Sequence, residues 1–192
     1  MEEKRALAIL GSPHKEGHTA AMLERAVYQA ERAGYTVSRV NLYEKNIGFC
    51  RGCEACYRTQ NCVIDDVDDD MQEIIAGLRE CRLVILAAPV YWANVPGPVK
   101  NMFDRLLGVA MEKTRTFPKP RLGGRKYIIL TACHTPAPFS WLFGQSRGAI
   151  RSIDEVFKTA GMRPMAKIVY AGAKKNGELP EGVIRKIERL FK

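Results

Sequence analysis

Four of the six cysteines in this chain of 192 residues fall in one short stretch, CRGCEACYRTQNC, running from Cys50 to Cys62. The spacing is Cys50-x2-Cys53-x2-Cys56-x5-Cys62. Four thiolates on one loop can surround a single small metal centre. The nearest ligand pattern is the ferredoxin-type run Cys-x2-Cys-x2-Cys, which suits an iron–sulfur cube better than a lone ion. In two-cluster ferredoxins the fourth cysteine follows after three residues, precedes a proline and ligates the other cluster. Here it follows after five and precedes Val63, so all four can serve one centre. Structural zinc usually draws on two separated pairs, and no second pair lies a dozen or more residues away. Disulfides need an oxidising compartment. A metal loop that no longer binds anything is the remaining alternative. Cys81 and Cys133 lie outside the motif: Cys81 reads as a core residue at a helix end, and Cys133 leaves a strand close to another chemically unusual loop.

Two further stretches carry residue types suited to binding. Gly11-Ser12-Pro13-His14-Lys15-Glu16-Gly17-His18-Thr19 is rich in small and hydroxyl-bearing residues and opens a helix. Unpaired N–H groups at a helix start favour an anion, so a phosphate is the natural guest, with Ser12 and Thr19 adding hydroxyls. It is neither a Walker loop nor Gly-x-Gly-x-x-Gly. The alternative is an ordinary capped helix with Thr19 as N-cap. The second stretch, PVYWANVPGPVK, sets Tyr91 and Trp92 on a proline-stiffened loop with Asn94 beside them. Aromatics there can hold a flat ring, and Asn94 and the backbone can bond a heterocycle edge. The alternative is packing of Tyr91 or Trp92 against the next helix.

The elements that must position these loops alternate. Ala6–Leu10 is a continuous apolar run, the pattern of a parallel strand buried on both faces. A helix follows from Thr19 to about Arg32, stopped by Gly34. Strands are expected at 36–42, 83–88, 126–132 and 165–170, and further helices from Met71 to about Arg79, from Val99 to about Leu107, up to about Ala160, and over 180–191. Five strands alternating with five helices describe an α/β doubly wound parallel sheet with helices on both faces. In such sheets ligands bind beyond the carboxyl ends of the strands. The loops after Leu10, Ala88 and Ala132 leave those ends. The acidic run Asp65-Asp66-Val67-Asp68-Asp69-Asp70 does not fit a calcium-binding EF-hand, lacking Gly at position 70 and Glu at 76. It reads instead as capping and charge complement for the helix from Met71. No internal repeat or domain boundary is visible, so residues 1–192 read as one domain with a cysteine-rich insertion at about 43–70.

Composition bounds the rest. With 46% hydrophobic and 27% charged residues this is an ordinary globular chain. The N-terminus MEEKRALAILGSP fits a first strand and not a signal peptide, and no stretch approaches the ~18 apolar residues of a membrane span. Cytoplasm and reduced thiols follow, which weakens the disulfide reading. The net charge is +9, with basic residues thickening between Lys113 and Lys126. The simplest reading is a solvated surface; the functional one is attraction of a nucleotide phosphate or an acidic electron-transfer protein such as ferredoxin. No helix-turn-helix, zinc finger or ribonucleoprotein signature accompanies the charge, so nucleic acid is not expected.

The residues then resemble a known family. GSPHKEGHT is similar to the Gly-Ser-Pro-Arg-x-x-Gly-Asn-Thr phosphate loop of the flavodoxin-like NAD(P)H-dependent FMN reductases, and PVYWANVPGPVKNMFDR is similar to their flavin-ring loop and following helix. The compact four-cysteine loop resembles the iron–sulfur flavoproteins of that group. The resemblance implies strand order 2-1-3-4-5 and FMN, with its phosphate on Ser12, His14, Gly17, His18 and Thr19. It implies a flavin ring against Pro89, Val90, Tyr91, Trp92 and Asn94, with Thr131, Cys133 and His134 on the other side. It further implies a [4Fe-4S] cluster on Cys50, Cys53, Cys56 and Cys62, NAD(P)H as electron donor, and a homodimer or homotetramer. His14 and His18 replace the family's usual Arg and Asn, so phosphate binding is expected to tighten as pH falls through the histidine range. No protein acid or base is expected to be catalytic, because hydride transfer to a flavin needs none. Three alternatives stay open: an NAD(P)H-dependent FMN or quinone reductase without a cluster, a non-enzymatic flavodoxin-like electron carrier, and a zinc-stabilised binding protein with a vestigial flavin fold.

Overall fold

The structure, a computed structural model, describes residues 4–64, 69–174 and 178–191. In chain order the elements are β1 (Lys4–Leu10), α1 (His18–Arg32), β2 (Tyr35–Asn41), a short α2 (Cys56–Thr59), α3 (Met71–Glu80), β3 (Leu83–Ala87) and α4 (Gly97–Arg105). These are followed by α5 (Leu107–Ala110), β4 (Met111–Glu112), β5 (Lys119–Pro120), β6 (Lys126–Cys133), α6 (Phe139–Leu142), α7 (Gln145–Thr159), β7 (Arg163–Ala171) and α8 (Glu181–Glu188). The five long strands form one parallel sheet in the order β2-β1-β3-β6-β7. Counted along that sheet alone the order is 2-1-3-4-5, the flavodoxin-like doubly wound arrangement expected above.

The sheet explains the apolar runs. Every residue of β3 is buried, because helices cover both of its faces. Along β6, Tyr127 and Ile129 face the core under α3, α4 and α7, while Ile128 and Leu130 face the core under α1. The apolar stripe of α1 (Leu23, Ala26, Val27, Ala30) is buried in that second core. Gly34, at φ +83°, supplies the left-handed turn that ends α1. On the other face α7 is tied to the sheet by Asp154, which accepts hydrogen bonds from Tyr127 Oη (2.7 Å), Lys158 (3.1 Å) and Lys167.

Some elements escape the sequence pattern. The pair β4–β5 is a two-residue antiparallel ladder, and α2, α5 and α6 are single-turn helices too short to carry a periodicity. Helix α1 begins at His18 with Gly17 as its N-cap, so Thr19 lies inside the first turn and is not the cap. Of the acidic run, residues 65–68 lie outside the described residues. Asp69 does cap α3, accepting the Met71 N–H at 2.9 Å. Asp70, although at the N-cap position, accepts the Asn46 N–H instead (2.8 Å).

Candidate functional site

All five strands are parallel, so the loops after Leu10, Asn41, Ala87, Cys133 and Ala171 leave one edge of the sheet. The cysteine loop follows Asn41 and therefore starts at that edge too. The first loop is short and tightly built. Gly11 N–H donates to Ala87 O at 2.8 Å, the buried Ser12 Oγ accepts His14 N–H at 3.2 Å, and Gly17 N–H donates to His14 O at 3.1 Å. The fold needs glycine at position 11: a Cβ there would stand 2.3 Å from Val99 Cγ2. His14 is exposed at this loop, and His18 is half-buried at the start of α1. His18 Nε2 lies 2.7 Å from Lys174 O, and its ring meets Tyr170 edge-on at 5.1 Å. A carbonyl only accepts, so the His18 proton sits on Nε2. In the neutral ring Nδ1 is then an acceptor, and donation from it to an anion requires protonation.

The loop after β3 closes on a two-residue turn. Tyr91 and Asn94 exchange both backbone hydrogen bonds at 2.9 Å, with Trp92 (φ +49°) and Ala93 (φ +58°) between them. Both central residues in the left-handed region are the mark of a type I′ turn, which favours Asn-Gly and not Trp-Ala. Each non-glycine residue held there costs about 1 kcal/mol or more. The result is that Trp92 stands fully exposed at the tip of the turn. Helix α7 braces the turn from behind: a Cβ on Gly148 would lie 2.1 Å from Ala93 O. Asn94 Oδ1 accepts Val95 N–H at 2.8 Å, leaving its amide N–H groups for other acceptors. Pro89 and Val90 are half-buried at the base of the loop.

The end of β6 adjoins this turn, since Val90 N–H donates to Ala132 O at 2.9 Å. Thr131 is 1% exposed, and its Oγ1 is a buried polar atom without a hydrogen-bond partner among the described residues. A buried hydroxyl left unpaired is costly, and it offers a donor and acceptor to a ligand at this edge. Cys133 is buried, with Sγ 3.7 Å from Gln145 Oε1, and His134 Nδ1 lies 3.1 Å from Ala173 O. His18 and His134 thus bond consecutive carbonyls of the loop after β7. Tyr43, which sequence reading missed, is raised above the ordinary tyrosine range, chiefly by burial and then by the neighbouring Tyr91.

The four motif cysteines line one cavity of about 150 Å³, which also involves Asp104, Arg105 and Leu107. All six cysteines are free thiols. Cys50 and Cys53 are exposed, Cys56 is half-buried and Cys62 is buried. Burial pushes the Cys56 thiol up, and the neighbouring Cys62 and Cys50 add to this, while the Gly108 N–H opposes it. Among the described residues no three metal-ligating side chains stand close enough to hold a single ion. Tetrahedral zinc needs its thiolates within about 4 Å of one another. Four thiols around one cavity do fit, in type and number, the four-cysteine set of an iron–sulfur cluster. Cys81 is different: it ends α3 fully buried, and burial pushes its thiol up to about 11.

The cysteine loop is gripped by a stripe the sequence did not advertise. Asn101 Oδ1 accepts Cys50 N–H at 3.4 Å, and Asn101 Nδ2 donates to Ile47 O at 3.0 Å. One turn later Arg105 Nε donates to Cys62 Sγ at 3.1 Å. Its Nη1 bonds Gly48 O (2.8 Å) and Asp69 Oδ2 (2.7 Å), and its Nη2 bonds Ile64 O (2.6 Å). Gly108 then lies so close that an added Cβ would be 2.2 Å from Cys56 O. Burial works against the Asp69 carboxylate, but the bonds from Arg105, Met71 and Gly48 hold it below the usual range. Asn101 and Arg105 share one face of α4 at i, i+4 spacing, and Gly108 lies in the short α5 that follows. The signal available in sequence was two polar residues at helical spacing next to buried Met102 and Phe103.

A flavodoxin-like sheet whose carboxyl edge carries a helix-start loop, an aromatic turn and a cysteine loop belongs to the class of flavin-binding doubly wound folds. The family model described as "NADPH-dependent FMN reductase" matches residues 5–125. The chain belongs to that family. An "Iron-sulfur flavoprotein" of Archaeoglobus fulgidus is 40% identical over 103 residues, covering 54% of this chain and 46% of that protein. A second "Iron-sulfur flavoprotein", from Methanosarcina thermophila, is 36% identical over 97 residues, covering 50% of this chain and 49% of its own. The chain spans about half the length of these curated relatives. Among solved structures, an NAD(P)H:quinone oxidoreductase from Methanothermobacter marburgensis superposes with a TM-score of 0.76 at 16% identity, covering 98% of both chains. An FMN-dependent NADH-azoreductase from Bacillus anthracis in complex with FMN gives 0.72 at 13% identity, covering 98% of this chain and 96% of its own. These two share the fold.

Proposed function

We propose that this protein is an FMN-dependent, NAD(P)H-linked oxidoreductase in which a four-cysteine [4Fe-4S] cluster on Cys50, Cys53, Cys56 and Cys62 accompanies the flavin. The observation that carries the reading is the double use of α4. Its first turn follows the aromatic loop, its last residue holds Cys62, and its nine residues span about 13 Å. The two motifs are therefore ends of one rigid element. FMN supplies two-electron hydride chemistry, and the cluster supplies one-electron transfer.

The chain's own groups bind and orient. Backbone N–H groups at the start of α1, with Ser12, Gly17 and Thr19, receive the phosphate. His14 and His18 add positive charge when protonated. Pro89, Val90, Tyr91, Trp92 and Asn94 would hold the ring, together with the unpaired hydroxyl of Thr131, Cys133 and His134. The single flavodoxin-like domain works as a homodimer or homotetramer in the cytoplasm. The exposed Trp92, Trp141 and Phe143 support an oligomer, since large apolar side chains at a rim favour burial against a partner. The net charge of +9 supports an acidic electron-transfer partner such as ferredoxin. Among the described residues no helix is long and apolar enough to cross a membrane.

Anaerobic purification, followed by an absorption spectrum and assays for FMN, iron, sulfide and zinc, tests the proposal. The expected result is one FMN with about four irons per chain and oxidation of NAD(P)H. FMN without iron reduces the reading to a plain flavin reductase. Flavin and iron without NAD(P)H oxidation leave an electron carrier, and zinc alone rejects all three.

A further inference from the structure

We propose that Arg105 is the positioning residue for the Cys62 ligand and raises the reduction potential of the cluster that Cys62 helps to hold. The inference rests on the cluster reading above.

Arg105 is 1% exposed, a cation taken almost wholly out of water at the end of α4. Such a burial is tolerated only when the charge is neutralised and its donors are spent. Asp69 supplies one negative charge, and both terminal nitrogens are bonded to Gly48 O, Asp69 or Ile64 O. The N–H on Nε is aimed at Cys62 Sγ. A thiol sulfur is a weak acceptor, whereas a thiolate is an anion that accepts well. A buried guanidinium N–H held against a sulfur is therefore matched to a ligating, deprotonated cysteine. Cys62 is also the one member of the four that is buried. Water can solvate Cys50 and Cys53, so Arg105 takes over for Cys62 the stabilisation that solvent gives the others.

The consequence is electrochemical. Reduction transfers one electron from the reductant to the cluster, makes and breaks no bond, and adds one negative charge to the cluster and its thiolates. Hydrogen bonds to the sulfurs and nearby charge set the potential of such clusters. A fixed cation with an N–H on one sulfur favours the reduced state. Asp69, paired to the same guanidinium, opposes it. The two residues therefore push the potential in opposite directions.

The test is an anaerobic redox titration with dithionite, followed by absorption and by electron paramagnetic resonance of the reduced protein. It compares the reconstituted wild-type chain with Arg105→Gln and Asp69→Asn. Iron, sulfide and circular dichroism are measured on the same samples. In Arg105→Gln, with wild-type iron content, the midpoint is expected at lower potential. In Asp69→Asn, which keeps one acceptor oxygen but loses the charge, it is expected at higher potential. A purely structural tie moves neither midpoint, or moves both the same way, and either result overturns the inference. If Arg105→Gln does not fold, Asp69→Asn decides alone: a raised midpoint supports the inference, and an unmoved or lowered one overturns it. Wild-type protein that takes up no iron and sulfide rejects the cluster reading and this inference with it. Full uptake with unmoved variants rejects only the inference.

Discussion

The aromatic edge and the cysteine loop sit on the same side of the same sheet but are held by different means. At the aromatic edge, backbone does the holding. Val90 bonds Ala132, Gly11 bonds Ala87, and the Tyr91–Asn94 turn closes on itself. The cysteine loop has no ladder. It is held by Asn101 and Arg105 on one face of α4, by Gly108 in α5, and by Asp69 returning from the start of α3. A region held by strand ends tolerates loss of any one side chain. A region held by one buried guanidinium does not, and this difference orders the expected effects of mutation.

The largest effect is expected for Asp69→Ala, which strands the buried Arg105 charge. Removing one partner of a buried ion pair costs about 3–5 kcal/mol, readable as a fall in the chemical or thermal midpoint. The pH dependence has a defined sign. Asp69 titrates below its unfolded value, so its contribution is complete above roughly pH 4 and is lost as pH falls through its lowered folded-state range. In wild type the cysteine loop should loosen on that acid limb. In Asp69→Ala that component of the limb should be missing, and an identical acid transition in both would show that the pair contributes nothing.

The two close-packed glycines give the sharpest separation of the two regions. A Cβ on Gly108 meets Cys56 O at 2.2 Å, and one on Gly148 meets Ala93 O at 2.1 Å. Each alanine forces backbone apart, at about 1–3 kcal/mol. Gly108→Ala should lower iron content and leave FMN content near wild type, while Gly148→Ala should do the reverse. Loss of both cofactors in either variant would mean the regions are not independently built.

A smaller effect is expected at His18. Its Nε2–H is spent on Lys174 O, so Nδ1 can donate to a phosphate only in the protonated ring. FMN affinity measured by fluorescence quenching should fall several-fold in His18→Ala, which removes the ring tied to Lys174 O and Tyr170 beside the helix start. Unchanged affinity in that variant would remove the role assigned to His18. The smallest effect is expected at the turn, where Ala93→Gly should relieve a positive φ and stabilise the fold by about 1 kcal/mol or less. Equal or lower stability in that variant would show that the turn carries no strain.

Much of the site is legible in local chemistry. A strand buried on both faces must be continuously apolar, so the LAIL and LVILA runs mark parallel strands and hence a carboxyl edge where loops bind. The cysteine spacing is legible because ligand geometry is written along the chain. Other features are not. Asn101 and Arg105 look like the surface face of a short helix, because their partners at 47–50 and 62–64 lie 41 to 57 residues away. Thr19 has the residue type of an N-cap, yet Gly17 holds that position because the Gly17–His14 turn starts the helix earlier. The turn at Trp92 and Ala93 carries no glycine to announce it, since α7 bracing, and not local preference, imposes the conformation.

What the sequence determined by itself was the periodicity of burial and the identity of the groups able to do chemistry. Five strands, one helix-start loop, one aromatic loop and four spaced thiols all follow from local rules. Only the tertiary structure decided how those groups are held. It turned Arg105 inward, aimed its Nε at Cys62 and left Cys50 and Cys53 facing water. The physical reason is that charge compensation for a buried guanidinium is a contact between segments distant in the chain. Such a contact has no period and no local motif, and exists only once the sheet has brought α4, the cysteine loop and Asp69 together.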